Sequence, residues 1–306
     1  MLSIRQLELV KVLTLHKHFG HAANALGISQ PALSKGISYI EKLLGVTLFE
    51  RKAQVIPTVF GEIVVAHSAS IIRDYSEMLR ELKLVEGLDV GSLMISAGLH
   101  PSSMSVHLAL GALSRDHPNL ICNLRVKDWV LVQEDVLARN CDLGVAEITE
   151  AAKHAELETE PLRQSPLLLF SRVGHPVTKI KKLSLEDTLE YPWVGTSLPS
   201  ALRAFLSPKS KPFGYFDPET NRAVPRIKVA TMSAIKDIVS NGDAISAAPR
   251  QLIAKEIADG RVVPLHLELP WLKLNYGFMW RRDRSASPSM LAFMEIVRKI
   301  ETGLGP

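Results

Sequence analysis

Apolar positions near the N-terminus follow a helical period. They recur every three residues, at Ile4, Leu7, Val10 and Leu13. This spacing predicts a helix over residues 3–16. Ala22, Ala23 and Leu26 then form one buried face of a second, shorter helix. Because alanine side chains are small, another helix can pack closely against this face.

A tight turn joins the second helix to a third. Gly27 lies where the second helix should end, since glycine accepts the left-handed conformation common at helix C-termini. Ser29 is a suitable N-cap for the third helix, and Pro31 fits its first turn. This helix should bury apolar residues spaced three or four apart, at Leu33, Ile37, Ile40 and Leu44. Its other face has no acidic residue and carries Gln30, Ser34, Lys35, Ser38 and Lys42. The pattern predicts a helix-turn-helix from Phe19 to Thr58, whose second helix enters the DNA major groove.

Two short strands around a basic turn should follow the third helix. Apolar residues within 48–52 and 55–58 predict the strands. Arg51 and Lys52 lie at the turn between them. We interpret this hairpin as a wing whose cations contact phosphates or a minor groove. The alternative is that both side chains are only solvated surface charges.

A long helix is predicted next, capped by Thr58 and extending to about residue 87 without an internal proline. Apolar residues recur every seven positions, at Val64, Ile71, Met78 and Val85. Ser68, Tyr75 and Leu82 precede the last three of these by three residues. Coiled-coil spacing of this kind favours a dimer seam, since helix-turn-helix proteins commonly read two half-sites as a dimer. The alternative is a helix packed on its own domain.

From Ser92 onward, predicted strands and helices alternate. The strands are 93–97, 120–126, 143–146, 167–171, 193–195, 227–230 and 244–246, and the helices are 102–115, 130–139 and 233–241. Such alternation predicts parallel sheets with helices on both faces. The sequence has no G-x-G-x-x-G motif, which argues against a dinucleotide site. Because the segment 90–306 is too long for one small βαβ sheet, we expect two α/β lobes with a cleft between them.

The positive charge is concentrated near the N-terminus. The net charge of the 306 residues is +4, and residues 1–58 contain seven Lys or Arg and three Glu. This segment therefore accounts for the whole excess of positive charge, which would favour contacts with DNA phosphates. For the charge alone, a chance fluctuation is an equally good explanation.

Composition bounds the class of protein. Hydrophobic content of 46% and charged content of 22% are ordinary for a globular protein. No apolar run reaches the roughly 18 residues that a membrane span needs. The N-terminus lacks a signal-peptide pattern, and two cysteines do not make a disulfide framework. We therefore expect a cytoplasmic protein without a membrane partner.

The N-terminal pattern resembles the winged helix-turn-helix of LysR-type transcriptional regulators. The matching positions are Ala22-Ala23, Leu26, Ser29-Gln30-Pro31-Ala32-Leu33-Ser34, Ile37, Glu41, Gly45, Leu48-Phe49, Arg51, Thr58 and Gly61. They span about sixty residues with one consistent spacing, and the order of the later elements of the chain is also similar to the family. Three positions depart from it: Lys17-His18 replaces the usual Gly-Ser before Phe19, and Gly20 replaces the usual Ser or Thr after it.

The resemblance implies an α+β protein in three parts. These are a winged helix-turn-helix (residues 1–58), a linker and dimerisation helix (59–89), and a two-lobed α/β effector domain (90–306) similar to type 2 periplasmic binding proteins. The chain would cross between lobes near residues 161 and 267. The first lobe would then comprise residues 90–161 and 268–306, and the second lobe residues 162–267.

We therefore expect a sequence-specific regulator that binds double-stranded DNA as a homodimer or homotetramer. A small-molecule effector in the cleft would modulate it, a carboxylate being one candidate class. The expected DNA contacts are Gln30, Pro31, Ala32, Ser34, Lys35, Ser38, Arg51 and Lys52. Gln30 suits the donor and acceptor edge of adenine, and Lys35 suits guanine. We expect no enzymatic activity, cofactor or metal.

In open α/β sheets, ligands bind beyond the carboxyl ends of the strands. This rule selects the turns at residues 99–103, 127–129, 195–198 and 230–233. The candidate effector residues are His100, Pro101, Ser102, Ser103, Asp128, Trp129, Thr196, Ser197, Arg203 and Thr231. Hydroxyls and free N–H groups at residues 99–103 could hold a carboxylate. For each Ser or Thr taken singly, plain helix capping is the more frequent role.

Other features leave alternatives open. Residues 207–225 form a polar, proline-rich segment that we expect to cover the cleft or contact a neighbouring subunit. Asp142, Glu147, Ser171 and His175 suit a hydrolase but lack a catalytic motif around them. Cys122 and Cys141 are more plausibly structural thiols than a redox pair. The competing functions are a solute-binding or enzymatic α/β protein with an incidental helical domain, and a regulator that needs no ligand.

Overall fold

The computed structural model describes residues 2–51, 54–85, 91–198, 202, 212–218, 220, 222–267 and 269–303. The chain forms two units, Met1–Glu86 and Gly87–Pro306. The first unit consists of α1 (Ile4–His16), α2 (Phe19–Ala25), α3 (Gln30–Leu44), β1 (Phe49–Arg51), β2 (Val55–Pro57) and α4 (Val59–Val85). β1 and β2 pair antiparallel, so this unit is the predicted winged helix-turn-helix followed by a long helix.

One hydrophobic core holds the first unit together. Its buried residues include Leu13 of α1, Ala22 of α2, and Leu33 and Ile37 of α3. Burial follows the predicted periodicity because each helix turns one apolar face toward the others. The prediction is wrong at Leu44, which is 38% exposed because the last turn of α3 extends beyond the core.

The caps of α2 and α3 follow from side chains at their first residues. Gly27 has a φ of +64°, and Ser29 Oγ accepts a hydrogen bond from Ala32 N at 3.3 Å, as predicted. α2 is capped by His18, whose Nδ1 accepts hydrogen bonds from Gly20 N at 3.1 Å and His21 N at 3.4 Å. An imidazole therefore satisfies the helix start although the usual Ser is absent.

The long helix α4 begins where Thr58 caps it. Thr58 Oγ1 accepts a hydrogen bond from Gly61 N at 3.1 Å. The proposed seam is wrong at its N-terminal end: Val64 packs on the first unit's own core, and Ser68 is fully buried, donating to Val64 O. Further along, Ile71 and Met78 are exposed, together with Tyr75 and Leu82. The side chain of Val85 lies outside the described residues.

The second unit contains two lobes. The first lobe consists of β3 (Gly91–Gly98), α5 (Leu99–Pro101), a π-helical turn (Ser102–Val106), α6 (His107–Asp116), β4 (Leu120–Lys127), α7 (Trp129–Leu137), β5 (Leu143–Glu147), a 3-10 turn (Ala151–Lys153) and β6 (Leu157–Pro166). It is completed by the returning β14 (Lys273–Arg281) and α11 (Pro288–Gly303). Its five-stranded sheet has the order β4-β3-β5-β14-β6, in which β3, β4 and β5 are parallel and β14 is antiparallel to its neighbours.

The second lobe lies between β6 and β14 along the chain. It consists of β7 (Leu168–Arg172), a 3-10 turn (Pro176–Lys179), α8 (Leu185–Leu189), β8 (Val194–Gly195), β9 (Gly214–Asp217), β10 (Arg222–Pro225), β11 (Ile227–Lys228), α9 (Met232–Asn241), β12 (Ser246–Ala248), α10 (Arg250–Ala258) and β13 (Val262–Pro264). The described sheet β12-β7-β13 is antiparallel, which corrects the prediction of parallel sheets there, whereas β8 and β11 pair parallel. Short apolar runs look alike in both kinds of sheet.

Two further predictions are corrected. The predicted loop 207–225 contains a hairpin, since β9 and β10 pair antiparallel and Phe213 is buried before them. Residues 207–211, 219 and 221 lie outside the described residues. The helix expected at 102–115 begins at Leu99 instead, so Ser102 and Ser103 lie in its second turn rather than at its start.

Candidate functional site

The first unit presents an exposed polar face on α3. Gln30, Pro31, Ala32, Lys35 and Ser38 are exposed and Ser34 is half-buried. They lie on the solvent-facing part of α3 over residues 30–38. This face therefore has donors, acceptors and a positive charge without a carboxylate, which suits the edges of bases and phosphates.

The hairpin of β1 and β2 is fixed to α3 by a carboxylate. Glu41 Oε1 accepts hydrogen bonds from Leu48 N at 2.8 Å and Phe49 N at 3.3 Å. The backbone of Arg51 ends β1. The side chain of Arg51 and all of Lys52 lie outside the described residues. These hydrogen bonds fix the position of the hairpin relative to α3.

The second unit encloses a cavity of about 440 Å³ between its lobes. Apolar and aromatic walls include Leu99, Trp129, Trp193, Leu198, Ile235 and Trp271. Polar groups at its surface include Thr149, Gln164, Thr196, Ser197, Thr220 and Asn275. A cavity of this size, mostly apolar with a few polar groups, suits a small organic molecule.

The predicted effector residues divide into two groups. His100, Pro101, Trp129, Thr196 and Ser197 line the cavity. The others are Ser102, Ser103, Asp128, Thr231 and Arg203, of which Arg203 lies outside the described residues.

Ser102 and Ser103 do not line the cavity. Their hydroxyls donate to Leu99 O at 2.8 and 3.0 Å, because both residues lie inside the helix. Thr231 is the N-cap residue of α9, exposed and without a side-chain cap bond. The prediction that these three residues line the cavity is therefore wrong.

Asp128 joins the lobes instead of lining the cavity. Its Oδ2 accepts hydrogen bonds from Ser197 N at 3.0 Å and Ser197 Oγ at 2.6 Å, and lies 3.1 Å from Lys228 Nζ. Trp129 Nε1 donates to Ser197 O at 2.9 Å. We call Asp128, Trp129, Ser197 and Lys228 the lobe clasp. Burial alone would raise the pKa of Asp128, but Ser197 and Lys228 together hold that pKa below its usual value.

Charged side chains that were not among the predicted ligand residues also line the cavity. They are Glu147, Glu150, Arg222 and Lys273. Arg222 Cζ lies 4.7 Å from the centroid of the Trp129 ring. Burial raises the pKa of Glu147, whereas it lowers the pKa of His100 to about 4. Glu147 ends β5, so the rule that selected the other strand ends could have found it.

The remaining reactive residues have structural partners. Asp142 pairs with Arg284 at 2.7 Å and accepts from Met94 N. His175 Nδ1 accepts from Val177 N at 3.1 Å, and Ser171 Oγ donates to Arg172 O. Burial raises the pKa of Cys141 to about 12, which makes its thiolate scarce. Within the described residues no group of His, Cys, Asp and Glu is arranged to hold a metal ion.

Comparisons with known proteins agree with this architecture. The family profile for the bacterial regulatory helix-turn-helix protein, lysR family, matches residues 4–62, and that for the LysR substrate binding domain matches residues 86–300. The chain is a member of the LysR family of transcriptional regulators. It therefore combines a DNA-binding helix-turn-helix with an effector-binding domain, in a family of regulators rather than enzymes.

Individual relatives match nearly the whole regulator. The SDS degradation transcriptional activation protein of a Pseudomonas species is 30% identical, with 97% of this chain and 96% of that protein covered. The HTH-type transcriptional regulator GbpR of Azospirillum brasilense is 26% identical, over 97% and 86%. Full-length CbnR, solved in complex with its target DNA, has a similar fold with a TM-score of 0.61 at 20% identity, over 98% and 100%. Among the described helices, none has the length and apolarity of a membrane span.

Proposed function

We propose that α3 is the recognition helix and that the hairpin after it is a DNA-contacting wing. The support for this proposal is the acid-free face of α3, on which Gln30, Lys35 and Ser38 are exposed. Gln30 would read adenine, Lys35 guanine, and Pro31 or Ala32 a thymine methyl group. Ser34 and Ser38 would reach bases or phosphates, and Arg51 and Lys52 would contact the backbone beside them. Such a regulator acts on chromosomal DNA in the cytoplasm.

Base contacts and phosphate contacts respond differently to mutation. Replacing Gln30 by Ala should relax specificity at one base position, at a cost of about 1–3 kcal/mol on the preferred site. Replacing Arg51 by Ala should weaken all DNA alike and reduce the salt slope by about 1. Fluorescence anisotropy on specific and random duplexes over a salt series separates the two effects. Equal losses on both duplexes for both variants would contradict the assignment.

We also propose that α4 pairs two copies of the chain. Four residues of the predicted seam have large exposed apolar surfaces, at 46% for Ile71, 41% for Tyr75, 48% for Met78 and 60% for Leu82. Such a stripe is costly in water unless it is covered, and a second copy offers the same coiled-coil spacing. Leu82→Lys should shift the chain toward monomer in light scattering, whereas Lys11→Ala, on an exposed position of α1, should not. An unchanged mass for Leu82→Lys would contradict this seam.

A small molecule in the cavity would then modulate promoter binding. The support is the cavity between two lobes whose relative closure a bound molecule can favour. A thermal-shift screen of the full chain tests it, because a ligand at about a hundred times its dissociation constant stabilises by about 2.7 kcal/mol. A stabilising compound should also change the affinity for the operator. Stabilisation without any change in DNA affinity would favour a regulator in which the cavity has no regulatory role.

The competing assignment is a solute-binding or enzymatic protein with an incidental helical unit. Retention on nonspecific DNA at low salt discriminates the two. We expect retention by the full chain and its loss on removal of residues 1–58. Retention that is unchanged by this deletion would favour the competing assignment.

A further inference from the structure

Within the described residues, the first-lobe wall of the cavity carries a carboxylate without an ion-pair partner. In this part of the chain, Glu147 accepts hydrogen bonds only from Thr149, through its N at 3.1 Å and its Oγ1. Lys153, close by in sequence, instead pairs with Glu150 at 3.0 Å. Burial raises the pKa of Glu147 because losing hydration is a cost for a carboxylate, and the hydrogen bonds from Thr149 and the charge of Lys153 offset that cost only in part. A cationic ligand would relieve this cost.

Positive charge is scarce on this wall of the cavity. His100 lines the cavity but is neutral at physiological pH, because burial lowers its pKa to about 4. The hydroxyls of Ser102 and Ser103 donate to Leu99 O, and Pro101 has no N–H to offer. The two hydroxyls that were predicted to hold a carboxylate are therefore occupied, and the imidazole beside them is neutral. Of the two lining cations, Arg222 lies over Trp129, and Lys273 is an exposed residue at the start of β14.

Further acceptors lie on the same side of the cavity. Asn275 Nδ2 donates to Thr149 Oγ1 at 3.2 Å, which leaves its Oδ1 as an acceptor. Gln164 pairs with Asn275 across β6 and β14 and also lines the cavity. An ammonium group has three donors and no acceptor, so Glu147 with these two amide oxygens matches it. Trp129 and Trp271 supply apolar surface for the rest of a ligand.

We propose that this cavity selects a small amine, with the ammonium group at Glu147 and an apolar body against the tryptophans. The inference rests on the proposed role of the cavity as an effector site. It specifies the effector's chemical class, which differs from the carboxylate expected from the turn sequences. The charge of Glu147 attracts an ammonium group, whereas the same charge repels a carboxylate.

The test uses the full chain and matched compounds that differ only in their polar group. Phenethylamine and hexylamine are compared with 3-phenylpropionate and heptanoate, and with 2-phenylethanol and hexanol. We expect the amines to raise the melting temperature and the carboxylates to leave it unchanged. Stabilisation by the carboxylates alone, or by none of the amines, would overturn the proposal.

Two variants locate the amine. Glu147→Gln keeps the shape and the acceptor for Thr149, and it should weaken amine binding about ten- to a hundredfold in calorimetry, as loss of a charged hydrogen bond does. Glu134→Gln removes the same charge from an exposed position of α7 and should leave the affinity within about twofold. Undiminished amine binding by Glu147→Gln would overturn the assignment of the site.

DNA binding of the same preparations separates this inference from the proposed function. Retention of Glu147→Gln on operator DNA shows that the variant is folded. An amine that binds through Glu147 without altering DNA affinity would leave the ligand class standing and contradict the regulatory role. Altered DNA affinity produced only by carboxylates would leave the regulatory role standing and contradict the ligand class.

Discussion

The lobe clasp allows a quantitative prediction, since one carboxylate connects the two lobes. Asp128 is 5% exposed and accepts two hydrogen bonds from Ser197 of the second lobe. Hydrogen bonds to charged groups contribute about 1.5–3 kcal/mol each. Its Oδ1 also accepts from Val130 N at 3.4 Å at the start of α7, a cap of about 1 kcal/mol at most at that length. Lys228 is 51% exposed, so its ion pair adds less than about 1 kcal/mol.

Replacing Asp128 by Ala should therefore destabilise the second unit by about 3–5 kcal/mol. For a unit of this size that corresponds to a fall in melting temperature of roughly 6–20 °C. Asp128→Asn retains one acceptor and should cost about 1–2 kcal/mol. Urea and thermal unfolding of the full chain, followed by circular dichroism, measure both. Asp116→Ala, whose side chain is 60% exposed, is the matched control and should stay within about 0.5 kcal/mol of the unmodified chain.

The dependence on pH has a definite sign. The pKa of Asp128 is lowered in the folded chain, so its stabilising effect is complete above the ordinary value of about 3.9. The effect is lost as the pH falls through the lower, folded pKa.

A double-mutant cycle of Asp128→Ala with Ser197→Ala should show a coupling above about 1 kcal/mol. The reasoning is refuted if Asp128→Ala behaves like Asp116→Ala, or if the two clasp mutations are simply additive.

Local geometry leads to three further predictions. Gly61→Ala places a Cβ 2.2 Å from Leu48 O and should destabilise the chain by about 1–3 kcal/mol in thermal unfolding. Gly111→Ala is the control, since a Cβ at this position of α6 meets nothing within 4 Å, and it should be neutral or stabilising by up to about 1 kcal/mol. Equal effects of the two substitutions would contradict the close approach at Gly61. His18→Ala should cost about 1 kcal/mol and His18→Ser should restore it, and a neutral His18→Ala would show that the imidazole cap is dispensable. Because burial raises the pKa of Glu147, its ionisation opposes folding, so the advantage of Glu147→Gln in melting temperature should grow as the pH rises from about 4 toward 7; an advantage that shrinks with pH would contradict this sign.

The first unit was predictable because its determinants are local. Ser29, Gly27 and Thr58 act on backbone groups within three residues, and Leu33 and Ile37 follow a period that one helix imposes. The long helix α4 is the exception. Val64 and Ser68 fit the seven-residue spacing of a seam, but the core of the first unit reaches far enough along α4 to bury them. Spacing identifies a buried face without identifying what covers it.

The cavity was only partly predictable because its walls come from distant parts of the chain. Strand ends correctly selected Trp129 and Ser197 as cavity residues. The contact between Asp128 and Ser197 joins residues 69 positions apart, and no local pattern indicates it. β6 was missed as a strand because it lies at the sheet edge and alternates charged residues such as Glu158 and Glu160. Ser102 and Ser103 failed because the helix starts three residues earlier than its polar residues suggest.

Ligand binding and lobe closure share side chains, which leads to a prediction for a residue outside the cavity. Trp129 and Ser197 line the cavity and also belong to the lobe clasp. A ligand that needs the closed arrangement binds in proportion to the fraction of chains that are closed. Asp128→Ala should therefore weaken such a ligand, up to about a hundredfold if about 3 kcal/mol of closure energy is lost. Ser102→Ala, which only removes a bond to Leu99 O, should leave the affinity unchanged. Calorimetry on both variants decides the matter: equal affinities would mean that the clasp holds the lobes without controlling access to the closed state.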